Sequence, residues 1–129
     1  MKTKSILILA VFLIFNSCSK ESSSGNKIYY VLKATYDNPQ DHGGVVNAEL
    51  TNVALTMPSG SNSVSGNLST PHTTAEREYT SGMTVTATGE SVLTHVTVTI
   101  EIWKNGVKWK FLTVPGSNSY TVVTVTGTV

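Results

Sequence analysis

Cysteine is nearly missing from this chain, with one, Cys18, in 129 residues. A single thiol cannot close an internal disulfide, so packing alone must hold any fold together. Charge is sparse as well. Lys, Arg, Asp and Glu make up 13% of the residues, nine basic against eight acidic. That balance gives no electrostatic case for nucleic acid as a partner. The longest apolar run is the ten residues from Ile6 to Phe15, half of the roughly 20 that a membrane-crossing helix needs. No stretch keeps a helical period long enough to bury one face. Catalytic motifs are missing too. Gly60-Ser61-Asn62-Ser63 and Gly116-Ser117-Asn118-Ser119 both lack the second glycine of a Gly-x-Ser-x-Gly nucleophile elbow. No glycine-rich loop leads into a helix, as a phosphate cradle requires.

What is present begins with an address. Met1-Lys2-Thr3-Lys4 is basic, the apolar run follows, and Asn16-Ser17-Cys18 closes it. This is the layout of an export signal ending at a lipid-attachment cysteine. It resembles bacterial lipoprotein signals, and Cys18-Ser19-Lys20-Glu21 resembles those of Bacteroidota, although Phe15 and Asn16 depart from the usual aliphatic and small residues. The resemblance implies that residues 1–17 are removed and that Cys18 becomes the acylated first residue. It also implies a lipid-anchored protein of the bacterial outer membrane, facing the periplasm or the cell surface, with the membrane itself as a partner. Ordinary secretion with a leftover thiol is the plainer alternative. Removing 17 residues from 129 leaves 112, with seven basic and eight acidic side chains and a net charge of −1. Residues 18–27 are polar and serine-rich and read as the anchor and a flexible tether. Residues 28–129 suit one domain.

From Ile28 onward Val, Thr, Tyr and Ile dominate, broken by Gly, Pro, Asn and Ser. Branched and aromatic residues favour strands. In the first strand, Ile28, Tyr30, Leu32, Ala34 and Tyr36 share one face. Between Val45 and Met57 the phase changes: Val46, Ala48 and Leu50 have one parity, and Val53, Leu55 and Met57 the other. A one-residue slip inverts every side chain, so a bulge or bend is expected near Thr51-Asn52. Asn62 to Leu68 is a weakly apolar strand suited to an edge. Ala75 to Thr80 reads as a short extended piece, and Met83, Val85 and Ala87 alternate with threonines. Val123, Val125 and Val129 form the inward set of the last strand. About seven short strands with frequent turns predict an all-β, immunoglobulin-like two-layer antiparallel sandwich.

The hairpin signal is strongest from Thr94 to Phe111. Val96, Val98, Ile100 and Ile102 alternate with His95, Thr97, Thr99, Glu101 and Trp103 around an Asn105-Gly106 turn. Uninterrupted pairing would set Trp103 opposite Lys108, Ile102 opposite Trp109, Glu101 opposite Lys110 and Ile100 opposite Phe111. Trp109 and Phe111 would then be interior, and Glu101, Trp103, Lys108 and Lys110 exterior.

Val98 to Phe111, Gly116 to Tyr120 and Val125 to Val129 together resemble the extracytoplasmic domains of the mycobacterial MmpS family. Tyr29-Tyr30-Val31 and Ala34-Thr35-Tyr36 resemble that family's opening strand, whereas Asp37 to Gly82 matches it poorly. The resemblance covers about half of the chain after the leader. It implies an immunoglobulin-like sandwich and, as an alternative function, an accessory protein of an envelope transport system.

Few residues invite chemistry. His42, His72 and His95 are far apart and lack the close spacing of zinc ligands. Asp37 and Asp41 lie in a Gly/Pro/Asn loop without the regular spacing of a calcium site. Glu76 and Glu78 need a pocket before they can act as acid and base. No catalytic residue, metal or cofactor is expected from these patterns. The residues singled out are Tyr29, Val31, Trp103, Lys108 and Lys110, as an interaction face that combines an indole with cations. The plainer reading is a lysine stem covering a ring on a wetted hairpin. The expected function is a lipid-anchored envelope domain that binds or scaffolds without catalysis. Its partner would be an envelope protein, a glycan or an apolar small molecule.

Overall fold

The computed structural model of the chain describes residues 25–129; the leader, Cys18 and most of the tether lie outside them. Nine strands are found among the described residues: β1 (Asn26–Tyr36), β2 (Glu49–Met57), β3 (Gly60–Ser69), β4 (His72–Thr73), β5 (Arg77–Tyr79), β6 (Thr84–Ser91), β7 (Val96–Lys104), β8 (Val107–Val114) and β9 (Thr121–Thr128). A 3-10 turn occupies Pro39–His42. All pairings are antiparallel. One sheet runs β4-β1-β7-β8 with β5 also paired to β1, and the other runs β3-β2-β6-β9. Two layers with one core between them make a sandwich. The count exceeds the expected seven partly because β4 and β5 are only two and three residues long.

Alternation dictates most of the interior. Ile28, Tyr30, Leu32 and Ala34 from β1 meet Val85 and Ala87 from β6, Val96, Val98, Ile100 and Ile102 from β7, and Val123, Val125 and Val129, all buried. Each large side chain taken fully from water contributes about 1.5–3 kcal/mol. The phase change in β2 is resolved by a register shift between Leu50 and Asn52. The shift lets Ala48 and Leu50 on one side and Val53 and Leu55 on the other all face inward. Val46 stays half exposed before the strand begins. As expected, the β3 strand, spanning Asn62 to Leu68, lies at a sheet edge. The Tyr30 and Tyr79 hydroxyls both donate to the Thr56 carbonyl. Burial is the main cause that pushes both phenols above their ordinary value.

Thr70 joins the two sheets. Its hydroxyl accepts the Ala34 N–H at 3.1 Å and lies 2.7 Å from the Ala48 carbonyl, to which it donates. Thr70→Val keeps the shape and removes both bonds. The site is only partly buried and admits water, so a loss of about 1–2 kcal/mol is expected, in the lower part of the range for an unsatisfied buried group. Urea denaturation with an unchanged slope is the measurement that checks it.

The hairpin corrects the expected register. Asn105 and Gly106 form the turn with φ of 52° and 76°, and Trp103 pairs with Lys108 as expected. The ladder then shifts, because Trp109 is an extra residue in β8. Ile102 pairs with Lys110, Glu101 with Phe111 and Ile100 with Leu112. A bulge of this kind inverts every side chain beyond it. Phe111 is therefore 63% exposed rather than interior. Trp109 is only partly buried, packed against the core. The reason lies on the facing sheet. The Trp109 ring covers Gly127 of β9 so closely that a β-carbon there would lie 2.6 Å from the ring. Lys104 and Lys110 stand over the same ring, at 5.1 and 5.6 Å from its centre.

Candidate aromatic and cationic face

The outer surface of the β1-β7-β8 sheet carries the candidate site. β1 pairs with β7 along nine residues, setting Tyr29 opposite Trp103, Val31 opposite Glu101 and Lys33 opposite Thr99. The Tyr29 and Trp103 rings stack with centres 5.6 Å apart and planes 14° from parallel. Alternation explains the placement: each of these residues is out of phase with the buried set on its own strand.

Glu101 organises the face. It is the one buried acidic side chain among the described residues, 3% exposed. Its carboxylate accepts hydrogen bonds from Lys108 Nζ at 2.7 Å, Lys33 Nζ at 3.2 Å and Trp103 Nε1 at 2.8 Å. Burial pushes the carboxyl up. The hydrogen bonds from Lys108, Trp103 and Lys33, together with the Lys33 charge, outweigh burial and hold it below its ordinary value. Trp103 is thus pinned by its indole N–H as well as by the stack. Lys108 leans over the Trp103 ring at 5.7 Å and over the Phe111 ring at 5.4 Å. The result is a pinned Tyr29–Trp103 stack and an exposed Phe111 on either side of a partly neutralised cation.

Of the five residues singled out from sequence, Tyr29, Val31, Trp103 and Lys108 come together here. Lys110 does not: the bulge carries it to the other side of the hairpin, against Trp109. Three members lie outside that set: Lys33, Phe111 and Glu101, whose outward parity is legible but whose burial is not. Lys33 shares the outward parity of Tyr29 and Val31, but its role depends on β1 lying beside β7, which no local pattern reveals. Phe111 has inward parity in an unbroken ladder and faces out only because of the bulge, which nothing in the local sequence announces.

The other residues weighed for chemistry are scattered. His42 stacks on Tyr36 at 3.6 Å, and His72 lies in β4 opposite Leu32. His95 adopts a positive φ of 56° and joins two loops through its backbone. Asp37 accepts from Thr97 at 2.7 Å, and Asp41 from Asn38 at 2.7 Å. Asp37, Asp41, His42 and His95 border a shallow cleft of about 230 Å³. Among the described residues no three His, Cys, Asp or Glu side chains are grouped to hold a metal ion. A second cleft of about 260 Å³ opens at the sandwich edge, lined by Val53, Leu55, Met57, Val64 and Leu68 with His72 and Arg77 at its rim.

No family model matches this chain, and no curated protein or solved structure matches it at a significant level. What stands is an all-β sandwich of two antiparallel sheets. The MmpS resemblance rests on its strand and turn pattern alone.

Proposed function

We propose that this protein is a lipid-anchored domain of the bacterial outer membrane that binds or scaffolds an envelope partner rather than transforming one. The observation that supports the reading is the asymmetry of the two outer faces. The β2-β6-β9 face carries the threonine pairs Thr86 with Thr126 and Thr88 with Thr124 at hydrogen-bond distance, with Val122 exposed beside them and no aromatic ring on these strands. The β1-β7-β8 face instead carries the Tyr29–Trp103 stack, pinned by the buried Glu101 carboxylate, with Phe111 exposed alongside. Rigid rings beside a cation suit recognition because little side-chain freedom is lost on binding. The leader and Cys18 supply the address. The same reading classes the sandwich as immunoglobulin-like, supported by the docking of the first strand on the late hairpin within one sheet.

A photoactivatable amino acid at Phe111 tests the binding face in living cells, with the same group at Thr124 as the control. Crosslinks to one partner concentrated at position 111 are the expected result. Equal labelling at both positions would sink the assignment of this face. Incorporation of a labelled fatty acid, abolished by Cys18→Ser, checks the anchor separately.

A further inference from the structure

Among the described residues, the start of β1 and the β7–β8 hairpin turn belong to the same end of the molecule. β1 begins at Asn26 and runs away from that end. Directly beside its start, the Asn105 N–H donates to the Lys27 carbonyl at 2.8 Å, and the Lys27 N–H donates to Asn105 Oδ1 at 2.9 Å. The β7–β8 turn is thus bonded to the point where the chain comes into the domain.

Charge is sorted along the same axis. Asp37, Asp41 and Glu49 lie toward the far end, and the one described lysine in the far half of β1, Lys33, is paired with Glu101. Lys104 and Lys110 lie at the hairpin end, on either side of Trp109. The ion pairs among the described residues are Lys27–Glu76, Lys33–Glu101 and Lys108–Glu101, so no described carboxylate takes the charge of Lys104 or Lys110. Glu76, just before β5, and Glu78, within it, lie at this same end but on the opposite side of the sheet, which leaves the β8 corner as the cationic one. Val107, at the tip of that corner, is 67% exposed.

Length decides which end can meet a bilayer. Seven peptide steps separate Cys18 from Gly25, a reach of at most about 25 Å. The 11 residues of β1 carry the chain about 33 Å to the far end. A domain held by Cys18 therefore cannot stand inverted with its acidic loops on the membrane.

We infer that the β7–β8 hairpin corner, formed by Val107, Trp109, Lys104 and Lys110, seats on the anionic phospholipid surface in which the protein's own anchor sits. This rests on the lipid-anchor reading above. The exposed Val107 side chain suits the apolar side of the interface, and Lys104 and Lys110, held over the partly buried Trp109 ring, bring their ammonium groups to phosphate. Each such lysine contributes about fivefold to the seating. With the corner down, β1 and β7 rise from the bilayer, and the Tyr29–Trp103 face is turned sideways near its surface.

The test uses the full chain, processed in a bacterial host and reconstituted in phosphatidylethanolamine–phosphatidylglycerol vesicles. Acylation blocks Cys18, so a single new cysteine carries a spin label, Val107→Cys at the corner or Asn118→Cys at the far end. The expected result is several-fold protection of position 107 from a water-soluble nickel relaxant, with position 118 open. That protection should be lost in phosphatidylcholine vesicles and in the Lys104→Glu/Lys110→Glu variant. Equal accessibility at both labels, with acylated Cys18 confirmed by mass spectrometry of the N-terminal peptide, overturns the seating and leaves the anchor intact. Protection that ignores lipid charge and the lysine changes also overturns it, as does protection in detergent without lipid, which marks a protein contact. An unmodified Cys18 removes the anchor and the seating together.

Discussion

Gly127→Val will unseat Trp109. By strand propensity the change should help, because valine suits a strand interior and glycine weakens one. Packing reverses the sign. Even the first added carbon would lie 2.6 Å from the indole, inside any real contact distance, and valine adds two methyls more. The ring must leave, opening the gap between β8 and β9, or the two edge strands must separate. Overpacking of this kind costs about 1–3 kcal/mol, and the second methyl sets the expectation at about 3 kcal/mol. Chemical denaturation measures the loss, and acrylamide quenching of tryptophan emission reports the exposed ring. The double variant with Trp109→Ala identifies the cause. If the ring is the obstacle, valine costs much less once the ring is gone, so the two changes are non-additive. An additive pair means that the bulge is held by something other than the fit of Trp109 over Gly127.

Glu101→Gln is expected to be more damaging than Glu101→Leu. All three partners of the carboxylate, Lys33, Lys108 and Trp103, are donors. A glutamine can offer them one oxygen, while its amide nitrogen faces donors and finds no acceptor. The expected loss is about 1–3 kcal/mol, the penalty for a buried polar group left unmatched. Lys33 and Lys108 keep 45% and 40% of their side-chain surface exposed, so their charges return to water and screening limits the Coulomb share. Leucine removes the mismatched amide and lets the two half-exposed lysines return to water, leaving only the partly buried Trp103 N–H without its acceptor, so its expected effect is the smaller of the two, about 1 kcal/mol. Acid gives an independent check. A carboxyl held below its ordinary value in the folded state contributes stability above the unfolded value of 4.5. That contribution is lost as pH falls from there through the folded value. The stability of the native protein relative to Glu101→Leu should therefore decline below about pH 4.5. A difference that stays flat from pH 7 to pH 3 would show that the carboxylate is not held by its three donors.

These two sites also mark how far local pattern reaches. The parity of Ile28 to Ala34, of Val96 to Ile102 and of Val123 to Val129 names buried residues correctly, because a strand has only two faces and apolar side chains occupy one. The phase break at Thr51-Asn52 is legible for the same reason: both apolar sets of β2 must face one core. The candidate face was half legible. Tyr29, Val31, Trp103 and Lys108 have outward parity, but that alone cannot tell which strands are neighbours. Lys33 joins Glu101 across the β1–β7 pairing, which brings together residues 68 positions apart in sequence.

Composition and period by themselves determined an all-β chain without disulfide support, its inward residues on most strands, and the Asn-Gly turn. Tertiary structure alone decided that β8 carries an extra residue, that Phe111 faces water and Lys110 changes sides, and that Glu101 is buried. The physical reason is that alternation is set by the backbone of each strand, whereas a bulge is set by what the facing sheet can accommodate. Here that is the absent side chain of Gly127, contributed by a strand 17 residues further along the chain from Lys110.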